Sequence, residues 1–393
     1  MVTIIRNAAV YQPEYAGKKD VMILGDKIAA VGENLTAEFN GAVSVTEIDG
    51  TGQILIPGLI DSHEHIMGGG GEGGFSTRTP EASLTDLTMN GVTTVVGCIG
   101  TDGITRDMAA LLAKAHGLEE EGITTYVYTG SYQVPVHTLT GSVMKDIMLL
   151  DKVIGAGEIA ISDHRSSQPS FEEFTRIVSD VRVGGMLSGK AGIVNIHLGD
   201  SSRLMDLIWR TVKETEIPYS QFLPTHVNRN EALFQSCIEF AKEGGVIDFT
   251  GNEDIDYWET ICDEVRVCRG IGRLLEAGAS ENSFTISSDG QGSLPVFNSK
   301  GEYQGIGMGK ASCLLKEIRE CVNREGLPLE TALRGITANP ARILKLSKKG
   351  HILPGYDGDL CLLTEKGLEL KTVIAKGRVM VQDGKAVVKG TFE

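Results

Sequence analysis

Ile54-Leu-Ile-Pro-Gly-Leu-Ile-Asp-Ser-His63-Glu-His65 is an apolar run closed by a His-x-His pair. A short apolar run bounded by Pro, Gly and Asp reads as a buried strand. Alternate side chains of a strand share a face, so His63 and His65 project together. They sit at the strand's C-terminal end, where a (β/α)8 barrel gathers its chemistry. Two imidazoles on one face can grip one transition-metal ion. Paired surface histidines give the same local pattern, so its meaning depends on the rest of the chain.

Seven further apolar runs follow at barrel-like intervals: Val92–Gly97, Thr124–Thr129, Ile159–Ser162, Gly192–His197, Phe222–His226, Gly245–Thr250 and Phe284–Ser288. Helix-like stretches such as Arg106–Glu121, Glu172–Val181, Asn230–Gly244 and Arg266–Ala277 separate several of them. With Ile54–Asp61 this makes eight β/α units, an α/β pattern that predicts a (β/α)8 TIM-type barrel over residues 54–351. Residues 1–53 carry short β-like runs (Val2–Ile5, Asp20–Leu24, Lys27–Val31, Val43–Ile48). Residues 352–393 repeat the texture (Leu360–Leu363, Thr372–Ala375, Arg378–Val381, Ala386–Val388). Both ends lack long helical patterns, so they are expected to pair as one small β-sandwich domain, although two unrelated caps would look similar.

A chain of 393 residues exceeds one typical domain but accommodates a barrel with a smaller partner. Its net charge of −15 speaks against nucleic acid as a partner, because phosphates demand Lys and Arg. An anionic ligand would have to be met by a few local arginines. No stretch approaches about 20 apolar residues, so no membrane span is expected. The opening Met-Val-Thr-Ile-Ile-Arg-Asn lacks the shape of a signal peptide. The seven cysteines form no Cys-x-x-Cys pair and read as buried thiols, neither a disulfide frame nor a thiolate zinc site. Cytoplasm is the expected compartment.

Histidines and a carboxylate recur at the predicted strand ends. His197 closes Val-Asn-Ile-His, His226 closes Leu-Pro-Thr-His, and Asp289 follows Ile-Ser-Ser. Four of only eight histidines thus lie at the same end of successive strands. Any one of them alone reads as a satisfied core or surface histidine; together they read as a metal pocket.

In this order and spacing, His63-x-His65, His197, His226 and Asp289 resemble the amidohydrolase superfamily of metal-dependent hydrolases. The segments Gly68-Gly-Gly-Gly-Glu-Gly, Thr77-Arg-Thr-Pro-Glu81, Val95-Val-Gly-Cys-Ile-Gly-Thr101-Asp, Ile161-Ser-Asp-His-Arg165-Ser, Leu223-Pro-Thr-His-Val-Asn-Arg229-Asn and Ser287-Ser-Asp-Gly-Gln-Gly-Ser293 narrow the likeness to its isoaspartyl dipeptidases. It runs essentially end to end. The resemblance implies two Zn2+ per subunit, with Mn, Fe or Co as other occupants. His63, His65 and Asp289 would hold one ion, His197 and His226 the other. A metal-bridging hydroxide would attack the isopeptide carbonyl of a β-aspartyl dipeptide, with Asp289 as general base and then acid. Tyr132 matches the tyrosine that donates to the oxyanion; a buried aromatic with a satisfied hydroxyl is its structural alternative. Glu72 resembles the residue that holds the substrate's ammonium. Arg165 and Arg229 match carboxylate-binding arginines, while Ser293, Thr101 and the backbone around Gly70 would complete the pocket. His164, in the Asp-His-Arg motif, is expected to support a ligand rather than be one. His116, His137 and His351 are expected to have no catalytic role. The resemblance also implies a homo-oligomer, an octamer.

One position departs from that pattern. The family's best-known members bridge their metals with a carbamylated lysine four residues before the Ser of Ser-Asp-His-Arg, and here that position is Glu158. No carbamylated lysine is expected. Either Glu158 bridges directly, its shorter stem offset by the extra residue in Ile154-Gly-Ala-Gly-Glu158, or the site is degraded and the chain is a non-catalytic homologue. Two other hydrolytic readings keep the scaffold, an N-acyl amino acid deacylase and a cyclic-amide hydrolase; a zwitterionic dipeptide suits Glu72, Arg165 and Arg229 better than either.

Overall fold

All eight runs place a strand in one parallel sheet of the computed structural model, which describes residues 2–36 and 44–393. In chain order these are β1 (Leu59–Glu64), β2 (Val92–Gly97), β3 (Thr124–Thr129), β4 (Val153–Ile161), β5 (Ile193–Leu198), β6 (Phe222–Thr225), β7 (Ile247–Thr250) and β8 (Phe284–Ser287). Strands adjacent in sequence are adjacent in the sheet. A parallel bridge between Glu64 and Gly290 returns the end of β8 to β1, closing the α/β barrel. Parallel neighbours need crossovers, and helices including Met108–Glu121, Phe171–Ser188 and Glu231–Lys242 supply them. The helix Phe171–Ser188 starts on a capping box between Ser170 and Glu173 and stops at Gly189 in the left-handed region.

The apolar runs are continuous because strands of such a barrel are covered on both faces. Val95, Val127, Ile159, Ile196, Phe249 and Ile286 pack in one buried cluster with helix residues such as Leu111, Phe174 and Leu233. A second cluster joins Ile60, Val96, Tyr128, Ile154 and Leu223 to Ile343 and Leu344.

Two strands differ from their sequence reading. Ile54–Asp61 is not one strand: Gln53–Pro57 pairs antiparallel with Leu360–Thr364, and only Leu59–Glu64 enters the barrel. The break falls at Pro57-Gly58, where a Cβ on Gly58 would lie 2.3 Å from Thr93 Oγ1. The fourth strand starts at Val153 rather than Ile159, so Glu158 lies within it. Opposite Val194 and Ile196 of β5, β4 runs from Ala156 to Ile159, one residue more than its partner. This bulge re-aims the local side chain. A Cβ on Gly157 would stand 2.8 Å from that of Asn195, so the close approach of the two strands requires glycine there.

The chain ends meet in a nine-stranded sheet combining Val2–Tyr11, Tyr15–Leu24, Lys27–Gly32, Val45–Asp49 and Gln53–Pro57 with Leu360–Thr364, Leu370–Ala375, Arg378–Gln382 and Lys385–Ala386. Ile5, Val10, Val21, Leu55, Leu360 and Ile374 form its own buried cluster. Val43, the first residue of the Val43–Ile48 run, lies outside the described residues. A hairpin that the sequence reading did not anticipate, Ser293–Phe297 with Tyr303–Met308, follows β8.

Candidate metal centre and substrate pocket

The strand ends converge as the barrel requires. The His63 and His65 rings are 5.5 Å apart, as are those of His63 and His226, and His197 and His226 are 4.7 Å apart. Glu158 reaches into their midst. Its Oε1 is 2.7 Å from His197 Nδ1, 3.1 Å from His226 Nε2 and 3.6 Å from His63 Nε2, while its Oε2 is 3.7 Å from His65 Nε2. Asp289 Oδ1 lies 3.1 Å from His65 Nε2 and 3.6 Å from His63 Nε2. Burial disfavours both carboxylates, but the imidazoles outweigh it. His63 and His197 hold the Glu158 carboxyl well below the usual range, and His65 with His226 does the same for Asp289.

Three of the rings are oriented from behind, leaving one nitrogen each for the cluster. Asn195 Oδ1 accepts from His63 Nδ1–H at 2.9 Å. Thr250 Oγ1 lies 2.7 Å from His226 Nδ1. Asp163 Oδ2 accepts from His197 Nε2–H at 2.9 Å. Such outer partners select the tautomer that presents a lone pair inward.

Ligating atoms form two groups, His63, His65, Cys98 and Glu158, and then Glu158, His197 and His226; within each, the atoms lie within 4.8 Å of one another. Glu158 belongs to both. Its Oε2 and Asp289 Oδ1 are buried without a hydrogen-bond partner among the described residues, which would be costly unless a cation satisfied them. The residues present therefore fit bound metal.

Beside this cluster the pocket is charged. Thr101 Oγ1 donates to Glu72 Oε1 at 2.9 Å, Ser293 Oγ to Glu72 Oε2 at 3.0 Å, and Arg165 Nη1 to Glu72 Oε1 at 3.3 Å. Asp163 holds Arg165 in a fork through Nε at 3.0 Å and Nη2 at 2.8 Å. Burial and these bonds act in opposite directions on Asp163, and the His197 and Arg165 contacts win, keeping it far below the usual carboxylate range. Arg229 is half-buried and has no side-chain hydrogen bond or ion pair among the described residues. Gly70 adopts a positive φ of 71°, and a Cβ there would lie 2.5 Å from Thr77 O, so the loop bearing Glu72 needs this glycine. Tyr132 is buried, its hydroxyl 2.8 Å from His197 Nδ1 and its ring 5.3 Å from the Arg165 guanidinium carbon.

All six expected ligands and both catalytic candidates thus lie together, with Glu72, Thr101, Arg165 and Ser293 joined in one network beside them. One expectation is corrected: His164 supports no ligand among the described residues, since it is exposed and its neighbour Asp163 backs His197. Cys98 is a buried free thiol, as expected, and lies within reach of the His63, His65 and Glu158 side chains. Strand-end position, the signal that singled out the histidines, also marks Cys98, which directly follows β2. Asn195, two residues before His197, was legible only as a strand residue.

Residues 194–380 match the amidohydrolase family model. The chain is 49% identical to a β-aspartyl dipeptidase of thermophilic, keratin-degrading Fervidobacterium islandicum solved in complex with β-Asp-Leu. That superposition has a TM-score of 0.90 and covers 98% of this chain and 97% of the other. A second structure of a β-aspartyl dipeptidase from the same organism gives 48%, 0.88 and 98% of each chain. A deacetylase of Brucella anthropi is 24% identical over 398 residues, spanning 96% of this chain and 87% of that protein.

Proposed function

Because the chain belongs to the amidohydrolase family, among its β-aspartyl dipeptidases, we infer that it is a metal-dependent dipeptidase cleaving the isopeptide bond of β-aspartyl dipeptides. The observation that carries the mechanism is Glu158, one carboxylate common to two groups of ligating side chains. We assign His63, His65 and Asp289 to one zinc ion, His197 and His226 to a second, and Glu158 to both. Bound there, a metal pair would make water a nucleophile near neutral pH and polarise the scissile carbonyl.

The protein's own groups do the rest. Glu72, fixed by Thr101 and Ser293, receives the substrate's ammonium. Arg229, free of side-chain partners among the described residues, takes a carboxylate bidentately. Arg165, held by Asp163, faces the other carboxylate. Tyr132 donates to the oxygen that gains charge as the carbonyl is attacked, an interaction worth about 3–4 kcal/mol in comparable sites. Asp289, beside the His63 and His65 rings, accepts the attacking water's proton and returns it to the departing amine. An N-acyl amino acid or a cyclic amide would bring no ammonium to Glu72, which is why the dipeptide reading is preferred.

A homo-oligomer belongs to the same reading. Leu149, Met186 and Leu187 are exposed apolar side chains on two helices that pack together, Val143–Leu149 and Phe171–Ser188. Among the described residues no helix is long and apolar enough to cross a membrane. We place the enzyme in the cytoplasm. The deciding experiment is release of leucine from β-Asp-Leu by the zinc-loaded protein, with α-Asp-Leu as control. Cleavage of the β isomer alone is expected. No cleavage of either, with metal bound, transfers the reading to another amide; with none bound, to a non-catalytic homologue.

A further inference from the structure

Cys98 is fully buried where the chain leaves β2. Its Sγ lies 3.6 Å from His63 Nε2 and 3.7 Å from His65 Nδ1, with the Glu64 carbonyl oxygen also at 3.6 Å. With the His63 Nδ1 proton given to Asn195, the Nε2 lone pair faces this sulfur, as it would face a cation held between the two. A sulfur at about 2.3 Å and a nitrogen at about 2.0 Å from one zinc, at an angle of about 110°, would stand roughly 3.5 Å apart, close to the 3.6 Å between Cys98 Sγ and His63 Nε2. Glu158 is an independent pointer: it belongs to the same group of potential ligands, and its Oε2 is wholly buried and unpartnered among the described residues.

We propose that the Cys98 thiolate is a further ligand, through its contact with His63, of the ion assigned to His63, His65 and Asp289, making with Glu158 a mixed sulfur, nitrogen and oxygen donor set. This rests on the two-metal reading above. Binding exchanges the thiol proton for the metal and releases that proton to solvent. A soft thiolate also favours zinc or cobalt over manganese or magnesium at this site. None of the other six cysteines belongs to a group of ligating side chains among the described residues, so a metal–sulfur signal would be assignable to Cys98.

The test is X-ray absorption at the zinc edge of the full-length, two-zinc protein. The same preparation is loaded with cobalt for its optical spectrum and assayed on β-Asp-Leu. A sulfur shell at about 2.3 Å, one sulfur per two zinc ions, is expected. The cobalt form should show sulfur-to-metal charge transfer, and Cys98→Ser should abolish both signals. If that variant does not fold, the wild-type sulfur shell decides alone. Two bound zincs and cleavage of β-Asp-Leu with only nitrogen and oxygen neighbours would overturn the cysteine ligand while leaving the dipeptidase intact. No bound metal and no cleavage would overturn both.

Discussion

Asp163→Asn tests whether the side chain behind His197 sets which of its nitrogens faces Glu158. The Asp163 carboxylate accepts four hydrogen bonds: from His197 Nε2 at 2.9 Å and Arg165 Nη2 at 2.8 Å on Oδ2, and from Arg165 Nε at 3.0 Å and backbone N at 2.7 Å on Oδ1. An asparagine of the same shape has one oxygen. With that oxygen at the Oδ1 position, its NH2 group confronts Arg165 Nη2–H and His197 Nε2–H. The imidazole can then keep a bond to residue 163 only by moving its proton to Nδ1, the atom 2.7 Å from Glu158 Oε1. Turned the other way, the amide leaves Arg165 Nε–H and the Arg165 backbone N–H without their shared acceptor. In either orientation two bonds to a charged group are lost, each worth about 1.5–3 kcal/mol.

Only part of that loss reaches the metal. Removing the partner behind a metal-binding histidine typically costs 10–100-fold in affinity, about 1.4–2.7 kcal/mol. Competitive zinc titration against a chromophoric chelator should therefore show one of two equivalents weakened by that factor and the other nearly unchanged. KM for β-Asp-Leu should rise as Arg165 loosens, and excess zinc should restore part of kcat. Both equivalents within threefold of wild type, with kcat/KM also within threefold, would refute the idea that Asp163 fixes the His197 tautomer.

Tyr132→Phe should lower kcat by about 10²–10³ with little change in KM or bound metal; a loss below tenfold would remove the tyrosine from the oxyanion. For Arg229→Met, kcat/KM on β-Asp-Leu should fall about 10–150-fold, the equivalent of one charged hydrogen-bonded contact of about 1.5–3 kcal/mol, and an unchanged value would show that the guanidinium meets no carboxylate. Metal content and activity of Glu158→Lys should depend on bicarbonate, as a carbamate must form, whereas dependence in the native protein would contradict a direct glutamate bridge. Glu317 is buried with Oε2 unpartnered, and burial raises its pKa from 4.5 to about 8. Its contribution to stability is therefore complete below about pH 4.5 and lost as pH climbs to about 8. Glu317→Gln should melt like wild type at pH 4 and higher at pH 8, by at most on the order of 4 kcal/mol; equal melting at both pH values would disprove the shift.

The barrel was readable because its strands are buried on both faces, so each survives in the sequence as an unbroken apolar run. The histidines were readable because every strand delivers its last residues to one rim. Reading failed where the chain departs from regular strand geometry. At Pro57-Gly58 an apolar run crosses from one sheet to another with no change of composition. After Ile161 the chain leaves β4, and Ser162 has a φ of +55°, so alternation no longer indicates which residue turns inward. His164, the residue with conspicuous chemistry, then faces solvent, and Asp163 takes the place behind His197. The placement of Cys98 was not legible, because no second cysteine stands near it in the sequence. The barrel instead brings it to His63, 35 residues away along the chain.

Glu158 joins these lessons. A carboxylate on a stem too short to bridge from a regular strand still approaches all four histidines, and it does so at the point where β4 carries one more residue than β5. Glycine at 155 and 157 permits that crowding: a Cβ at 155 would lie 2.3 Å from Ile193 O, and one at 157 would stand 2.8 Å from the Asn195 side chain. In the proposed site, the glutamate in place of lysine and the glycines before it therefore act together. Gly157→Ala should accordingly disturb the metal cluster as much as a ligand substitution does. Its cost should appear as lost zinc with the barrel still folded, and a variant that binds both equivalents normally would separate the insertion from the bridge.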